Sequence, residues 1–202
     1  MKVCEMFKAI QGEGPEIGVP TTFVRLSGCN LDCDFCDSKY HKLGSPMSVR
    51  DIFSFLDKTS HVTITGGEPT LQEIELRSLM RMFDKSTHFS LETNGTKPTS
   101  LPYHTIVVSP KKQSIRDDVL KLYTTSDKVW FKFVYENKDD VWWEDVISRC
   151  NIPNNRVYIM PEGKTREEQL ERMPEVLDYC LEKGYRVSPR LQVLVYDNRR
   201  GV

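Results

Sequence analysis

The 202-residue chain has no apolar run long enough to cross a bilayer, and its formal net charge is only −1. The first absence excludes a membrane-spanning helix; the second removes the basic excess that draws a protein onto nucleic acid by charge alone. Neither membrane nor nucleic acid is therefore an expected partner. The opening MKVCEMFKAIQGEGP lacks the uninterrupted apolar segment of a secretory signal, so a reducing cytoplasm is the expected location, where structural disulfides are rare. No internal repeat, low-complexity tract or linker divides the chain, and one core suffices at this length, so residues 1–202 are read as a single domain. Cysteine is sparse, six in all, yet three fall within eight positions in SGCNLDCDFCDSKY, residues 27–40. In a reducing compartment such a cluster points to metal.

What the chain does have is alternation. TTFVRL, HVTIT, HFSLE, TIVVS, VWFKFV, RVYIM and YRVSPRL are β-branched or aromatic and read as strands. SVRDIFSFLDK opens on Ser48 as N-cap, and TREEQLERMPEVLDYCLEKG opens with Thr165 and Glu168 at capping-box spacing and stops at Gly184. Pro174 inside the second predicts a kink or two helical pieces. Strands followed by helices predict an α/β fold, a parallel sheet or partial β/α barrel with its functional groups at the C-terminal strand ends. The cysteine stretch, GGEPT, TNGT, SPKK and MPEGKT each follow a predicted strand, as a shared pocket mouth requires.

Cys29, Cys33 and Cys36 supply three soft sulfur ligands on a tight loop, one for each of three irons of a 4Fe-4S cube, with the fourth iron open. The other reading is a zinc knuckle with His41 as fourth ligand, since a closed structural zinc site takes four. No further Cys or His pair follows nearby. Cys4, Cys150 and Cys180 lie far apart and read as small buried hydrophobes.

The C-x3-C-x2-C spacing of Cys29, Cys33 and Cys36, with Phe35 just before the last, resembles the signature of the radical S-adenosylmethionine (SAM) superfamily, and GGEP at 66–69 is similar to its SAM-amine motif. The segments QGEGPEIGVPTTFVRLSGCNLDCDFCDSKY, TGGEPTLQ, ETNGT and PRLQVLVYDNRRGV, spanning residues 5–202, together resemble the 7-carboxy-7-deazaguanine synthase family. The resemblance implies an open, compact radical SAM barrel. It also implies a 4Fe-4S cluster whose open iron is chelated by the amine and carboxylate of SAM, and a lyase reaction in 7-deazapurine (queuosine-type) biosynthesis. In it a hydrogen is taken from C6 of 6-carboxy-5,6,7,8-tetrahydropterin, the ring contracts, ammonia leaves and SAM is regenerated. An external electron donor and a homodimer are implied with it.

Residue roles follow from the same resemblance. Phe35, Cys36, Asp37, Gly66, Gly67, Glu92, Ser109, Pro110, Lys111, Met160 and Glu162 are expected at SAM. Gly66 and Gly67 would let backbone groups approach the SAM ammonium, where the plainer reading is a strand-end turn. Glu92 either accepts ribose hydroxyls or satisfies backbone N–H groups, and the residues 109–111 are otherwise a surface loop. Ile10, Gln11, Gly12, Glu13, Arg25, Thr65, Gln192 and Val202 are expected at the pterin. Arg25 suits a bidentate carboxylate clamp, although a strand Arg is more often paired with an acid. Gln11 and Glu13 would read N–H donors of the pterin, or else belong to a flexible polar loop. Ser38 is expected to offer its hydroxyl to Mg2+ where the family commonly has Thr, or to cap the following turn. Gln192 stands where His is frequent, which keeps hydrogen bonding and removes titration. Val202 is implied to place its carboxylate in the site, with Gly201 turning the backbone inward, although chain ends usually fray. The alternatives are another radical SAM enzyme such as a glycyl-radical activase, an iron-sulfur electron carrier, and a zinc-binding interaction module.

Overall fold

The computed structural model describes residues 1–33, 36 and 38–202; the assignments made for Phe35 and Asp37 lie outside the described residues. One nine-stranded sheet organises the chain. Its strands are β1 (Lys2–Ile10), β2 (Pro20–Leu26), β3 (Ser45–Pro46), β4 (His61–Gly66), β5 (His88–Thr93), β6 (Thr105–Val108), β7 (Val129–Tyr135), β8 (Val157–Pro161) and β9 (Arg186–Val187). They lie in the order β3-β1-β2-β4-β5-β6-β7-β8-β9, with β2 and β4 to β9 mutually parallel and β1 antiparallel to both neighbours. The edges β3 and β9 do not meet, so the expected open α/β sheet is what forms.

Among the described residues five α-helices lie between strands, α1 (Val49–Phe55), α2 (Glu73–Met80), α3 (Asp117–Thr124), α4 (Trp143–Cys150) and α5 (Arg166–Lys183), and a sixth, α6 (Leu191–Tyr196), follows β9. Ser48 caps α1 by accepting from Asp51 N, and Thr165 with Glu168 forms the capping box of α5, which ends on Gly184 at φ +72°. The kink or break expected at Pro174 does not divide α5. Pro174 removes the hydrogen bond to the Leu170 carbonyl, but both residues are exposed, so that oxygen is not sealed from solvent in the core.

Two sequence expectations change. The N-terminal stretch, passed over as a strand, is β1, which pairs with β2 from Val3↔Leu26 to Ile10↔Pro20 and makes residues 11–19 the loop of a hairpin. YRVSPRL is not one strand. Ser188 N still donates to Ile159 O at 2.9 Å, but Pro189 ends the ladder, Leu191 N turns to Gly12 O at 2.9 Å, and LQVLVY becomes α6.

Strand alternation assigns the two faces. Val24, Leu26, Ile64, Leu91, Phe131 and Phe133 join Ile52, Leu76, Leu79 and Trp143 of the helices in the core. The register places Phe23, Thr63, Ser90 and Thr105 in one row, and Arg25 beside Thr65 and Glu92 beside Val107 in the next, so the opposite face is largely polar. Residues 11–19 cross that face. Glu16 pairs with His88 Nε2 (2.6 Å) and accepts from Ser90 Oγ (2.6 Å), and Gly14 N donates to Ser188 Oγ (2.8 Å).

Candidate active site

The loop after β2 carries the three cysteines to a cavity of about 460 Å3, where Cys29, Cys33, Cys36, Gly66 and Gly67 all line the wall. Leu31 N donates to Cys29 Sγ (3.4 Å) and Gln113 Nε2 to Cys33 Sγ (3.2 Å), so these sulfurs already receive N–H groups. Burial pushes both thiols up, and in Cys33 the Lys111 charge opposes it. Coordination to a metal deprotonates a thiol outright. Cys150 and Cys180 lie in the core as expected; Cys4 is only half-buried and donates to Tyr40 O. The residues fit a three-cysteine cluster. Among the described residues no three His, Cys, Asp or Glu side chains converge on one ion, whereas a cube assigns each thiolate to a different iron. His41 lines the same cavity, 4% exposed, its Nδ1 without a partner among the described residues.

Gly66 and Gly67 are glycine first because of the protein itself. A Cβ on Gly66 would lie 2.2 Å from Leu26 O at a φ of +140°, and one on Gly67 would lie 2.0 Å from Gly28 O. Strand end and cysteine loop are thus pressed backbone to backbone, with Gly67 N donating to Leu26 O (3.1 Å) and Glu68 N to Gly28 O (2.8 Å). The Glu68 carboxylate, 0% exposed, accepts from Thr70 N, Thr70 Oγ1, Thr93 Oγ1 and Asn94 N at 2.7–3.0 Å, tying the end of β4 to that of β5.

Of the other residues expected at SAM, Glu92, Ser109, Lys111, Met160 and Glu162 line the cavity. Lys111 Nζ folds back onto Ser109 O (2.8 Å) and Oγ (2.7 Å), and Glu162 faces Arg172 at 3.5 Å. Pro110 is buried and does not line the wall: after β6 the chain alternates, which turns Ser109 and Lys111 outward and Pro110 inward.

Ile10, Gln11, Gly12, Glu13, Arg25, Thr65, Gln192 and Val202 all line the same cavity. Arg25 has the acidic partner that the plainer reading anticipated: its Nε donates to Glu5 Oε1 (2.7 Å). Glu5 also takes Tyr40 OH (3.3 Å) and Arg200 NH2 (3.1 Å), and Arg200 lies 3.5 Å from the centroid of the Tyr40 ring. Residues 197–202 thereby fold back over the cavity, with Gly201 at φ +72°. Glu92 accepts from Gln11 Nε2 (3.3 Å) and Thr65 Oγ1 (3.1 Å). Glu13 takes Lys132 Nζ on Oε2 (2.5 Å), and Arg190 Nε (3.0 Å) and Gln192 Nε2 (2.7 Å) on Oε1. Burial opposes ionisation of Glu13, but Lys132 and Arg190 outweigh it and hold the carboxyl well below the usual range. A Cβ on Gly12 would lie 1.8 Å from Gln192 Oε1, so that glycine admits the start of α6. Loop 11–19 is therefore tied by hydrogen bonds to β5, β7 and the residues leading into α6.

Ser38 lines the cavity, and its side chain caps no N–H of the turn Lys39–Leu43; it hydrogen-bonds to Tyr40. Sequence reading passed over Glu5, Tyr40, Lys132, Arg190 and Arg200. A signal existed for Lys132, a charge in the middle of the apolar run VWFKFVY, and for Glu5 and Arg25 once β1 is paired with β2, where they face one another.

The radical SAM superfamily model matches residues 23–128. A 7-carboxy-7-deazaguanine synthase of Pyrobaculum aerophilum is 36% identical, with 100% of this chain and 97% of the relative covered. One of Hyperthermus butylicus is also 36% identical, covering 96% and 92%. The crystal structure of QueE from Escherichia coli superposes with a TM-score of 0.74 over 94% of this chain and 93% of that one, at 21% identity, a likeness of fold. Cysteine loop, glycine strand end and full-length similarity agree: the chain belongs to the 7-carboxy-7-deazaguanine synthase family of the radical SAM superfamily.

Proposed function

We propose that the chain converts 6-carboxy-5,6,7,8-tetrahydropterin to 7-carboxy-7-deazaguanine with loss of ammonia, using a 4Fe-4S cluster, SAM and Mg2+. The observation that carries the proposal is one cavity lined on one side by Cys29, Cys33, Cys36 and the Gly66–Gly67 backbone, and on another by Arg25, Gln11, Thr65 and Glu13. When bound, the cluster and SAM supply the radical that takes the hydrogen at C6 of the substrate. The protein binds, orients and shields. Cys29, Cys33 and Cys36 hold the cluster; Gly66 and Gly67 offer backbone groups to the SAM ammonium, and Ser109, Lys111, Glu92, Met160 and Glu162 surround the rest of SAM. Arg25 takes the substrate carboxylate, in competition with Glu5. Glu13, Gln11 and the end of the chain at Val202 accept from the guanidine-like edge, with Thr65 beside them.

Ser38 supplies the oxygen for Mg2+. Its hydroxyl is a hard ligand, and Mg2+ keeps waters and takes substrate oxygens for the remaining positions. The place of Ser38 in the wall of the cavity that the cysteines also line supports this role.

The proposal is tested by anaerobic reconstitution with iron and sulfide, followed by assay with SAM, Mg2+, a reductant and the carboxytetrahydropterin. Wild type and Cys150→Ala should be brown and form the deazaguanine acid. Cys29→Ala, Cys33→Ala and Cys36→Ala should lose both the visible absorbance and deoxyadenosine formation. Full turnover after removal of Mg2+ would take the ion out of the reading, and a cluster-free triple variant that cleaves SAM would overturn it.

A further inference from the structure

We propose that Lys132 is a positioning residue that fixes the Glu13 carboxylate in the cavity wall and leaves it a single acceptor position for a donor of the ligand. The inference rests on the assignment of Glu13 to the pterin.

Lys132 sits in the middle of β7, 5% exposed, between Phe131 and Phe133, whose rings belong to the core on the opposite face. A buried ammonium is costly to desolvate, and a buried ion pair replaced by apolar residues of similar volume is often no less stable. Stability alone therefore gives no reason for a lysine here. Its Nζ reaches Glu13 Oε2 at 2.5 Å. Glu13 itself comes from the 11–19 loop, held from the other side by Arg190, which also donates through NH1 to Gly163 O (2.8 Å).

An ionised carboxylate has about four lone-pair positions. Arg190 and Gln192 fill both on Oε1 and Lys132 one on Oε2, so one position on Oε2 is left. A guanidine-like edge offers more than one N–H. Glu13 then takes one of them, and the others must find acceptors elsewhere in the wall.

The charged groups facing Glu13 come from three elements. Lys132 lies on β7, Arg190 precedes α6, and Glu92 on β5 acts on Lys132 across the cavity. Among the described residues these are the cations Lys132 and Arg190 and the anions Glu13 and Glu92. With Lys132 removed, Arg190 alone opposes the desolvation of Glu13, whose titration should move up and whose carboxylate should turn toward Arg190.

The test uses SAM-loaded, cluster-reconstituted protein, titrated anaerobically with the carboxytetrahydropterin between pH 5.5 and 8.5, with SAM affinity and circular dichroism as controls for folding. Lys132→Met should weaken pterin binding about tenfold or more, and should make it fall with decreasing pH where wild type is flat. Lys132→Arg should restore most of the affinity and the flat profile. Glu13→Gln with Lys132→Met should bind no worse than Glu13→Gln alone, because the two act as one unit. The double variant lacks both charges, so it also decides the matter if Lys132→Met alone does not fold. A Lys132→Met protein with wild-type affinity and pH profile, or a double variant about tenfold weaker than Glu13→Gln, would overturn the proposal. A carbon NMR titration of Glu13 without pterin separates the two claims. If wild type binds SAM but no pterin while the Glu13 titration still moves up in Lys132→Met, the substrate assignment fails and the hold of Lys132 on Glu13 stands.

Discussion

At the scale of single residues, the glycine strand end does two jobs, and the nearer one is steric. With a Cβ on Gly67 only 2.0 Å from Gly28 O, Gly67→Ala must push the cysteine loop away from β4. Overpacking of this kind costs about 1–3 kcal/mol. The variant should therefore melt lower and bind less iron per chain, as measured by differential scanning fluorimetry and iron analysis; unchanged values for both would show that loop and strand end are not pressed together. His41 carries a pH dependence. Burial lowers its pKa, and the Lys42 charge acts the same way. The unfolded chain, with a histidine near 6.5, then binds the proton more readily than the fold does. Stability is full above about pH 6.5 and is lost as pH falls below it. Urea midpoints at pH 7.5 and 5.5 should differ in that direction, and His41→Gln should reduce the difference.

Elements show how much could be read in advance. Six parallel strands, β2 and β4 to β8, announced themselves as β-branched or aromatic runs, because a strand covered by helices is apolar on the core face and needs no long-range information to be recognised. The capping box of α5 was equally local. Thr165→Ala should lower stability by about 0.5–2 kcal/mol, visible in a thermal melt, with SAM binding untouched. Strand β1 was not legible, because KVCEMFKAI has no clean alternation and takes its conformation from β2. The same gap hid Glu5, whose meaning appears only when it stands opposite Arg25. Lys132 and Arg190 were missed because their partner Glu13 is 119 and 177 residues away in sequence. The motif cysteines and glycines, in contrast, are encoded in contiguous stretches. The family resemblance they carry was legible, while the close backbone approach that fixes Gly66 and Gly67 was not.

On the scale of the whole molecule, β1 and residues 197–202 come together beside the cavity. Glu5 of β1 binds Arg25 and Arg200 together, so the terminal segment is strapped to the strand that carries the proposed carboxylate clamp. Deleting Gly201 and Val202 should weaken binding of the carboxytetrahydropterin by about tenfold or more, as one charge-assisted hydrogen bond is worth about 1.5–3 kcal/mol, and leave SAM affinity unchanged. Equal pterin affinity in anaerobic titrations of the full-length and shortened chains would take the segment out of the site. The central claim, a radical SAM site turned toward a pterin, is tested most directly by anaerobic turnover of 6-carboxytetrahydropterin deuterated at C6, with product and SAM both followed by mass spectrometry. The account predicts 7-carboxy-7-deazaguanine in excess over SAM consumed, with deuterium passing into the SAM pool. Deoxyadenosine formed in step with SAM loss, while the pterin is recovered unchanged with its deuterium, would contradict it.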